Sequence, residues 1–414
     1  MTAARTWMTA PAGRDGPDDE FRARVRDALS GFTAGDVASW EQAGHLPMTA
    51  VTELARLGIF RARWEPGAEG GLPRLITLSQ ETSQLSGGLA VAVMGHSEMF
   101  VGALTWLAAG PEQLTLREDA LAGRVVGCFA ATEAHGGSDL AGIRSTATRV
   151  SGGWRLRGCK RYVSNIGGAS HVLVLARPEG AGNAGDLGLF VVPRDNPGVT
   201  VDGYFDPMGI AACDVGQVSF DTLVPAGALL GRPGLGLLYA THLLHFERIS
   251  ICAQVLAMAE LSVRLAVAYA RRRTVGGMRV FDRQAIRHRL AGCRAELWTL
   301  QSRLAELVAR IERLQRIPAH EIAAFKLTSA EAAGRIVDTC MQVFGARGGM
   351  SSFPMERLWR DTRMARMGGG TDEVLADLVA SGLDRADAAT DAMLDEYLAG
   401  DTPHPGPPHP ADRV

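Results

Sequence analysis

Apolar and polar positions follow different periods in successive parts of the chain. Between residues 17 and 123, apolar side chains recur at three- and four-residue spacing, which is typical of helices that bury one face. Between residues 124 and 230, short alternating or β-branched runs are separated by Gly, Asn, Asp and Pro, which predicts strands. Helical spacing returns at Leu235 and continues to about Leu398. The predicted helices are Phe21–Leu29, Thr49–Leu57, Ser79–Leu85, Val91–Leu107, Leu237–Arg273, Arg283–Leu314, Ala319–Phe344 and Thr371–Ala380. The predicted strands lie within 125–133, 152–165, 170–177, 187–193 and 217–225.

This order predicts an α+β multidomain protein. A helical domain (17–123) precedes a middle β domain (124–230) and a second helical domain (231–398), because 414 residues exceed one comfortable hydrophobic core. Residues 399–414 are rich in proline and are predicted to form a disordered tail.

Composition narrows the class of protein. The chain is 46% hydrophobic, and its net charge of −2 argues against a dedicated nucleic-acid or membrane-surface binder. The six cysteines are far apart without a CxxC pair, which favours free thiols in a reducing cytoplasm over disulfides or a zinc site. The first twenty residues have no apolar core like that of a signal peptide, and no uncharged apolar run of membrane-spanning length is found, so no membrane segment is expected.

The stretch Phe344–Leu375 carries the most specific signal. It combines two glycine clusters with an Arg-Asp-Thr-Arg run, followed by an acidic helix start at Thr371, Asp372 and Glu373. Such glycines let backbone N–H groups approach a phosphate closely. This stretch resembles the C-terminal signature of the acyl-CoA dehydrogenase family, "QxxGGxG…FPxERxxRDxR…xEGTxEI".

Three earlier segments carry the same resemblance. Residues 132–139 (TEAHGGSD) are similar to the family's "TEPxxGSD", and residues 160–165 (KRYVSN) to its "KxWITN". Residues 269–277 (YARRRTVGG), followed by Gln284, are similar to "YAxxRxxFG…QAI". The resemblance covers roughly residues 20 to 395. It implies an N-terminal helical domain, a middle antiparallel β domain and a C-terminal helical bundle.

The resemblance also implies an FAD site. Thr132 and Ser138 would contact the flavin and the acyl thioester, Tyr162 would pack beside the isoalloxazine, and Ser164 would hydrogen-bond its N5 edge. Arg273 would reach the flavin pyrophosphate of a neighbouring subunit, where a planar guanidinium fork suits the ligand. The family's pattern assigns the remaining cofactor contacts to Gln284, Gln342, Gly345, Thr371 and Glu373. The run from Arg360 to Arg363 resembles the family's structural charge cluster.

One position departs from the commonest form of the family. The usual catalytic glutamate before Gly-Thr is Gly369 here, whose N–H could still donate to the thioester carbonyl. Glu247 is the candidate replacement, because it lies on a helix among apolar neighbours, where a carboxylate is either paired or functional. An ion pair with Arg248 is the structural alternative. A subset of the family, including isovaleryl- and long-chain-type enzymes, carries its glutamate in an "LxxER" context that Leu244–Arg248 matches.

These features predict an FAD-dependent acyl-thioester dehydrogenase that introduces an α,β double bond. The resemblance implies electron transfer to an electron-transfer flavoprotein and assembly into a dimer or tetramer, while CoA and a carrier protein stay open as thioester carriers. A flavin monooxygenase on the same fold is the alternative, since Ala134 and Gly276 replace a proline and a phenylalanine of the family pattern. A scaffold without activity is a third hypothesis.

Overall fold

The computed structural model describes residues 17–65, 71–383 and 387–400. The first part is helical, and its helices enclose one hydrophobic core that includes Phe60, Phe100 and Leu54. A π-helical segment, Gly95–Val101, joins α6 to α7 without a break. The helices are α1 (Pro17–Leu29), α2 (Ala34–Ala43), α3 (Thr49–Arg56), α4 (Ile59–Trp64), α5 (Gly71–Leu85), α6 (Gly87–Met94), α7 (Gly102–Leu107) and α8 (Pro111–Leu121).

The middle part is a β sheet in which antiparallel pairing predominates. The strand order is β6-β7-β3-β2-β4-β5-β8, with β1 beside β4, and the β1–β4 and β2–β4 pairs are parallel. The strands are β1 (Gly127–Ala130), β2 (Thr146–Val150), β3 (Gly153–Ser164), β4 (His171–Pro178), β5 (Leu187–Pro193), β6 (Val199–Phe205), β7 (Val215–Pro225) and β8 (Leu229–Gly234).

The last part is a helical bundle whose core is built on α9, α10 and α11. A two-stranded hairpin, β9 (Thr274–Val275) and β10 (Met278–Arg279), lies between α9 and α10. The helices are α9 (Gly236–Arg272), α10 (Gln284–Glu312), α11 (Ala319–Val343), α12 (Pro354–Met364), α13 (Asp372–Leu383) and α14 (Ala388–Gly400). The predicted helix–sheet–helix architecture is confirmed, and the domain bounds at residues 123, 230 and 398 stay predictions. The predicted tail lies, from residue 401 onward, outside the described residues.

Two helical stretches pass a test for membrane spans by length and composition. In Gly87–Leu107 and Gly236–Arg272, however, 89% and 72% of the apolar window is buried inside the protein. They are therefore core elements of this fold, and α9 is buried because it packs against α5 on one side and α11 on the other.

Candidate active site

A cavity of about 1120 Å³ lies where the three parts of the fold meet. Its walls come from α6 and the π-helical segment, from loops at the edge of the sheet, from α9, and from the turn between α12 and α13. The volume exceeds the usual range for a single small ligand, about 300–1,000 Å³, so the cavity can hold a flavin ring together with an acyl chain. Seven of the predicted site residues line it: Thr132, Ser138, Tyr162, Ser164, Glu247, Gly369 and Thr371.

One face of α9 forms a continuous wall of this cavity. Leu244, Glu247, Ile251, Val255 and Met258 line it at three- and four-residue spacing. The fourteen steps of helix from Leu244 to Met258 extend about 21 Å, so this wall is long enough to follow an acyl chain. Glu247 is the acidic residue of this otherwise apolar stripe.

The Glu247 carboxylate has no hydrogen bond or ion pair with any described residue. Burial raises its pKa, and the positive charges of Arg248 and Lys326 partly offset that rise. The ion pair with Arg248 that the sequence left open is not formed. The Arg248 Nε instead donates to the carbonyl oxygen of Gly369 at 2.8 Å. Glu247 is therefore a half-buried carboxylate facing the cavity, which is the state that a general base requires.

The turn between α12 and α13 requires glycine. Gly369 and Gly370 have φ angles of 65° and 106°, a region that residues with a side chain rarely adopt. A Cβ on Gly369 would lie 3.1 Å from Ile251 Cδ1. Two buried cations hold the turn, since Lys326 Nζ donates to the Gly370 carbonyl at 2.8 Å and Arg248 Nε donates to the Gly369 carbonyl.

A bulge in β3 presents Tyr162 to the cavity. The β3–β7 register shifts between Lys160 and Val163, and Tyr162 has φ +56°. Its ring lies 4.7 Å from that of Phe205, the Arg161 guanidinium lies 5.4 Å from its centroid, and the residue is 58% exposed, so part of the ring remains available to a planar ligand. The Arg161 Nε nearby lines the same region, is buried and has no hydrogen-bond partner among the described residues.

A buried ion pair fixes the loop that carries Thr132 and Ser138. Lys160 Nζ donates to Glu133 Oε1 at 2.7 Å, and the backbone N–H groups of Arg144 and Ser145 donate to the same carboxylate. Burial disfavours the charged form, but these hydrogen bonds prevail and lower the pKa of Glu133 to about 2. The sequence interpretation gave Glu133 no role. A charged residue beside a tight glycine loop was the available signal.

The other predicted cofactor residues lie outside the cavity. Arg273 and Gln284 are exposed near the β9–β10 hairpin, Gln342 and Gly345 are exposed at the end of α11, and Glu373 is exposed in the first turn of α13. Tyr269 stacks on Phe344 at 4.7 Å, which brings the ends of α9 and α11 together at one surface. The assignment of these five exposed residues to the FAD site stays a prediction.

The charge cluster on α12 is only partly made of ion pairs. Arg360 pairs with Glu356 and Glu41. Asp361 has no ion pair among the described residues. Its Oδ1 accepts the Ile210 N–H at 2.6 Å, its Oδ2 has no partner, and burial raises its pKa to about 6. Asp361 therefore connects α12 to the loop after β6, where Ile210 has φ +54°.

Three family descriptions match successive parts of the chain. They are "Acyl-CoA dehydrogenase, N-terminal domain" at residues 17–115, "middle domain" at 128–223 and "C-terminal domain" at 234–383. The chain belongs to the acyl-CoA dehydrogenase family.

Among its relatives is the acyl-[acyl-carrier-protein] dehydrogenase MbtN of Mycobacterium sp. (strain MCS). It is 31% identical over 95% of this chain and all of the relative. The benzylmalonyl-CoA dehydrogenase of Aromatoleum aromaticum (strain DSM 19018 / LMG 30748 / EbN1) is 32% identical over 87% of this chain and 97% of its own. The structure of an acyl-CoA dehydrogenase from Geobacillus kaustophilus superposes with a TM-score of 0.84 at 26% identity, covering 91% of this chain and all of that one.

The protein is therefore an FAD-dependent oxidoreductase that acts on CH–CH groups of acyl thioesters. The residues present fit FAD, because the cavity has room for the flavin ring, Tyr162 offers it a flat exposed face, and the orphaned Arg161 Nε offers a donor. The monooxygenase alternative is not favoured, since these relatives are dehydrogenases.

Proposed function

We propose that Glu247 is the general base of the dehydrogenation. The observation that carries this proposal is its unpaired carboxylate, placed on the cavity wall of α9 beside the turn where the commoner form of the family has its glutamate. The raised pKa favours this role. A base that acts near neutral pH must be deprotonated before the reaction and must then hold the α-proton that it removes.

The reaction removes two hydrogens from adjacent carbons. The α C–H bond breaks, its proton goes to the Glu247 carboxylate, and the electron pair that it leaves forms the α,β double bond as the β-hydrogen departs. The chemistry that FAD would supply, when bound, is acceptance of that β-hydrogen as hydride. Negative charge develops on the thioester oxygen as the proton leaves, and backbone N–H groups at Gly369 are the donors proposed to stabilise it.

Thr132, Ser138, Tyr162, Ser164 and Thr371 are proposed to hold the flavin and the thioester within the cavity. Arg273, Gln284, Gln342, Gly345 and Glu373 are proposed to serve the cofactor's other half. Because Arg273 and Gln284 are exposed outside the cavity, this assignment fits an FAD that is shared with a neighbouring copy, in a dimer or tetramer. An electron-transfer flavoprotein is the proposed electron acceptor. The cytoplasm is the proposed compartment, supported by six free cysteines.

An acyl carrier protein is the proposed thioester carrier. The support is the match along 95% of this chain to an acyl-[acyl-carrier-protein] dehydrogenase. The test compares kcat/KM for one acyl group presented on holo carrier protein and on CoA. A higher value for the carrier-protein thioester is expected, and a higher value for CoA would overturn the assignment.

Anaerobic titration of the yellow holoenzyme with acyl thioesters tests the reaction itself. Bleaching of the long-wavelength flavin absorbance, with formation of the enoyl thioester, is the expected result. Oxygen consumption with a reduced flavin supply, without bleaching by any thioester, would instead favour a monooxygenase.

A further inference from the structure

Lysine is rare in this chain, and its two positions are unusual. Of 43 basic residues only Lys160 and Lys326 are lysines. Both are fully buried, with 0% exposure. Lysine is almost never fully buried unless it is paired. Every other basic position in the chain is an arginine, so the structure should show what retains a buried ammonium group at these two positions.

The two lysines differ in how their charge is balanced. Lys160 forms an ion pair with Glu133 at 2.7 Å. Lys326 has no carboxylate within 4.0 Å among the described residues, and the hydrogen bond it makes is to the Gly370 carbonyl at 2.8 Å. A buried cation without an ion-pair partner destabilises the fold unless another function retains it.

Lys326 is bonded to the turn between α12 and α13. Lys326 holds the Gly370 carbonyl and Arg248 holds the Gly369 carbonyl, so the carbonyls of two successive peptide units are each fixed by a buried cation. Because a trans peptide unit is planar, fixing these carbonyls also fixes the N–H groups of Gly370 and Thr371, which point away from the two cations. Gly369, Gly370 and Thr371 all line the cavity.

The charged and titratable groups around Lys326 come from two other helices. Glu247, Arg248 and Cys252 face it from α9, and Asp372 faces it from α13. The groups that face Glu247 are Arg248 on its own helix and Lys326 on α11. Of the two cations that act on the Glu247 carboxylate, Lys326 is therefore the one on a different helix.

We infer that Lys326 is a positioning residue of this active site: it holds the Gly370 carbonyl, and with it the cavity-lining turn, and it supplies a positive charge that acts on the Glu247 carboxylate. This inference rests on the proposed role of Glu247 as the base.

The charges of Glu247 and Lys326 determine how activity should depend on pH. Lys326 lowers the pKa of Glu247, so activity should rise with pH through the Glu247 ionisation and then fall as Lys326 loses its own proton. Burial lowers the pKa of Lys326 to about 8, because the favourable effect of Asp372, Cys252 and Glu247 only partly compensates. The expected profile of kcat/KM is a bell whose alkaline limb reports Lys326.

Two substitutions at this position separate charge from shape. Lys326→Met keeps the length and removes the charge and the donor, and we expect the acidic limb to move to higher pH, with activity at pH 7 roughly 10–100-fold lower, below the full effect of a general base. Lys326→Arg keeps the charge, and we expect the acidic limb to stay in place while the alkaline limb disappears. Asp372→Asn serves as a second variant, in which the alkaline limb should move to lower pH.

A direct titration gives a second readout. The infrared carbonyl band of protonated Glu247, identified by its loss in Glu247→Gln, should titrate at higher pH in Lys326→Met than in the wild type. An equal loss of activity at every pH with no shift of that band would overturn the inference and leave Lys326 a structural residue. If Glu247→Gln is fully active, the proposed base itself is wrong, so the two failures are distinguishable.

Discussion

Arg248 donates its Nε hydrogen to the carbonyl oxygen of Gly369, 2.8 Å away, and not to the adjacent Glu247. This bond connects the helix that carries the carboxylate to the turn from which the commoner catalytic glutamate is missing. It leaves Glu247 without a counter-ion in contact and holds Gly369 in a backbone conformation that favours glycine. The glycine at position 369 and the glutamate at position 247, which both depart from the usual family pattern, are therefore parts of one arrangement.

Gly369→Ala should disturb the turn. The positive φ costs about 1–2 kcal/mol for a residue with a Cβ. The new methyl group would also lie 3.1 Å from Ile251 Cδ1 and 3.3 Å from Arg248 Cγ. We expect a lower thermal midpoint and roughly tenfold or greater loss of kcat. Gly368→Ala is the matched control, because its Cβ would meet Ile251 Cδ1 at an ordinary 3.6 Å. Equal effects of the two substitutions would contradict this account of the turn.

Glu247→Gln should stabilise the protein near neutral pH. The folded-state pKa of Glu247 is raised by burial, so the folded protein holds its proton more tightly than the unfolded chain. Stability is therefore lost as pH rises from the unfolded pKa through the folded one, and an uncharged amide avoids this loss. Thermal midpoints of both proteins, measured from pH 4 to pH 8, should diverge in favour of the variant as pH rises. Constant separation across that range would show that the carboxylate is not destabilised by burial.

The Glu133–Lys160 pair should make the β-domain loop sensitive to acid. The pKa of Glu133 is lowered to about 2, so its contribution is present above the unfolded value near 4.5 and is lost as pH falls toward 2. Glu133→Gln leaves Lys160 buried without its ion-pair partner and should destabilise the protein by about 3–5 kcal/mol. Chemical denaturation at pH 7 and pH 3 tests both statements. The control is Asp139→Asn, in the same loop but exposed. A Glu133→Gln protein as stable as this control would refute the structural role of the pair.

Arg273→Ala should weaken FAD retention without opening the cavity. Its guanidinium is exposed at the end of α9, and a charge-assisted bond to pyrophosphate contributes about 1.5–3 kcal/mol. We expect a 10- to 150-fold rise in the FAD dissociation constant, measured by flavin fluorescence during dialysis. Arg272→Ala, one residue earlier and also exposed, is the control. If both variants retain FAD as the wild type does, Arg273 does not contact the cofactor.

The long helices could be predicted from sequence because their apolar spacing is regular. α9, α10 and α11 begin and end within two residues of the predicted bounds. α2 was missed because only Val37 and Trp40 of its ten residues are buried, so its apolar period is weak. Its capping box, in which Thr33 and Asp36 bond to each other's backbone, was the available signal. β2 and β6 were missed because one residue of β2 and none of β6 is fully buried, so neither strand has a clear apolar alternation.

Residues of the candidate site could be predicted from sequence only where a family motif contains them. Family motifs placed Glu247, Gly369 and the loop residues in one cavity, but none of them showed that Arg248 would turn to Gly369. The role of Lys326 was not predictable from its helix, since it depends on a turn 44 residues further along the chain. Tertiary contacts of this kind leave no periodic signal in sequence.

The measurement that tests the central claim most directly is exchange of the substrate α-proton with deuterated water in Glu247→Gln. This exchange reports proton removal separately from oxidation. We expect it to fall by roughly 10²–10⁴, with flavin reduction falling in parallel, while FAD content and thioester binding are retained. Glu260→Gln, on the same helix but paired with Arg294, should exchange like the wild type. Wild-type exchange in Glu247→Gln would show that another group is the base.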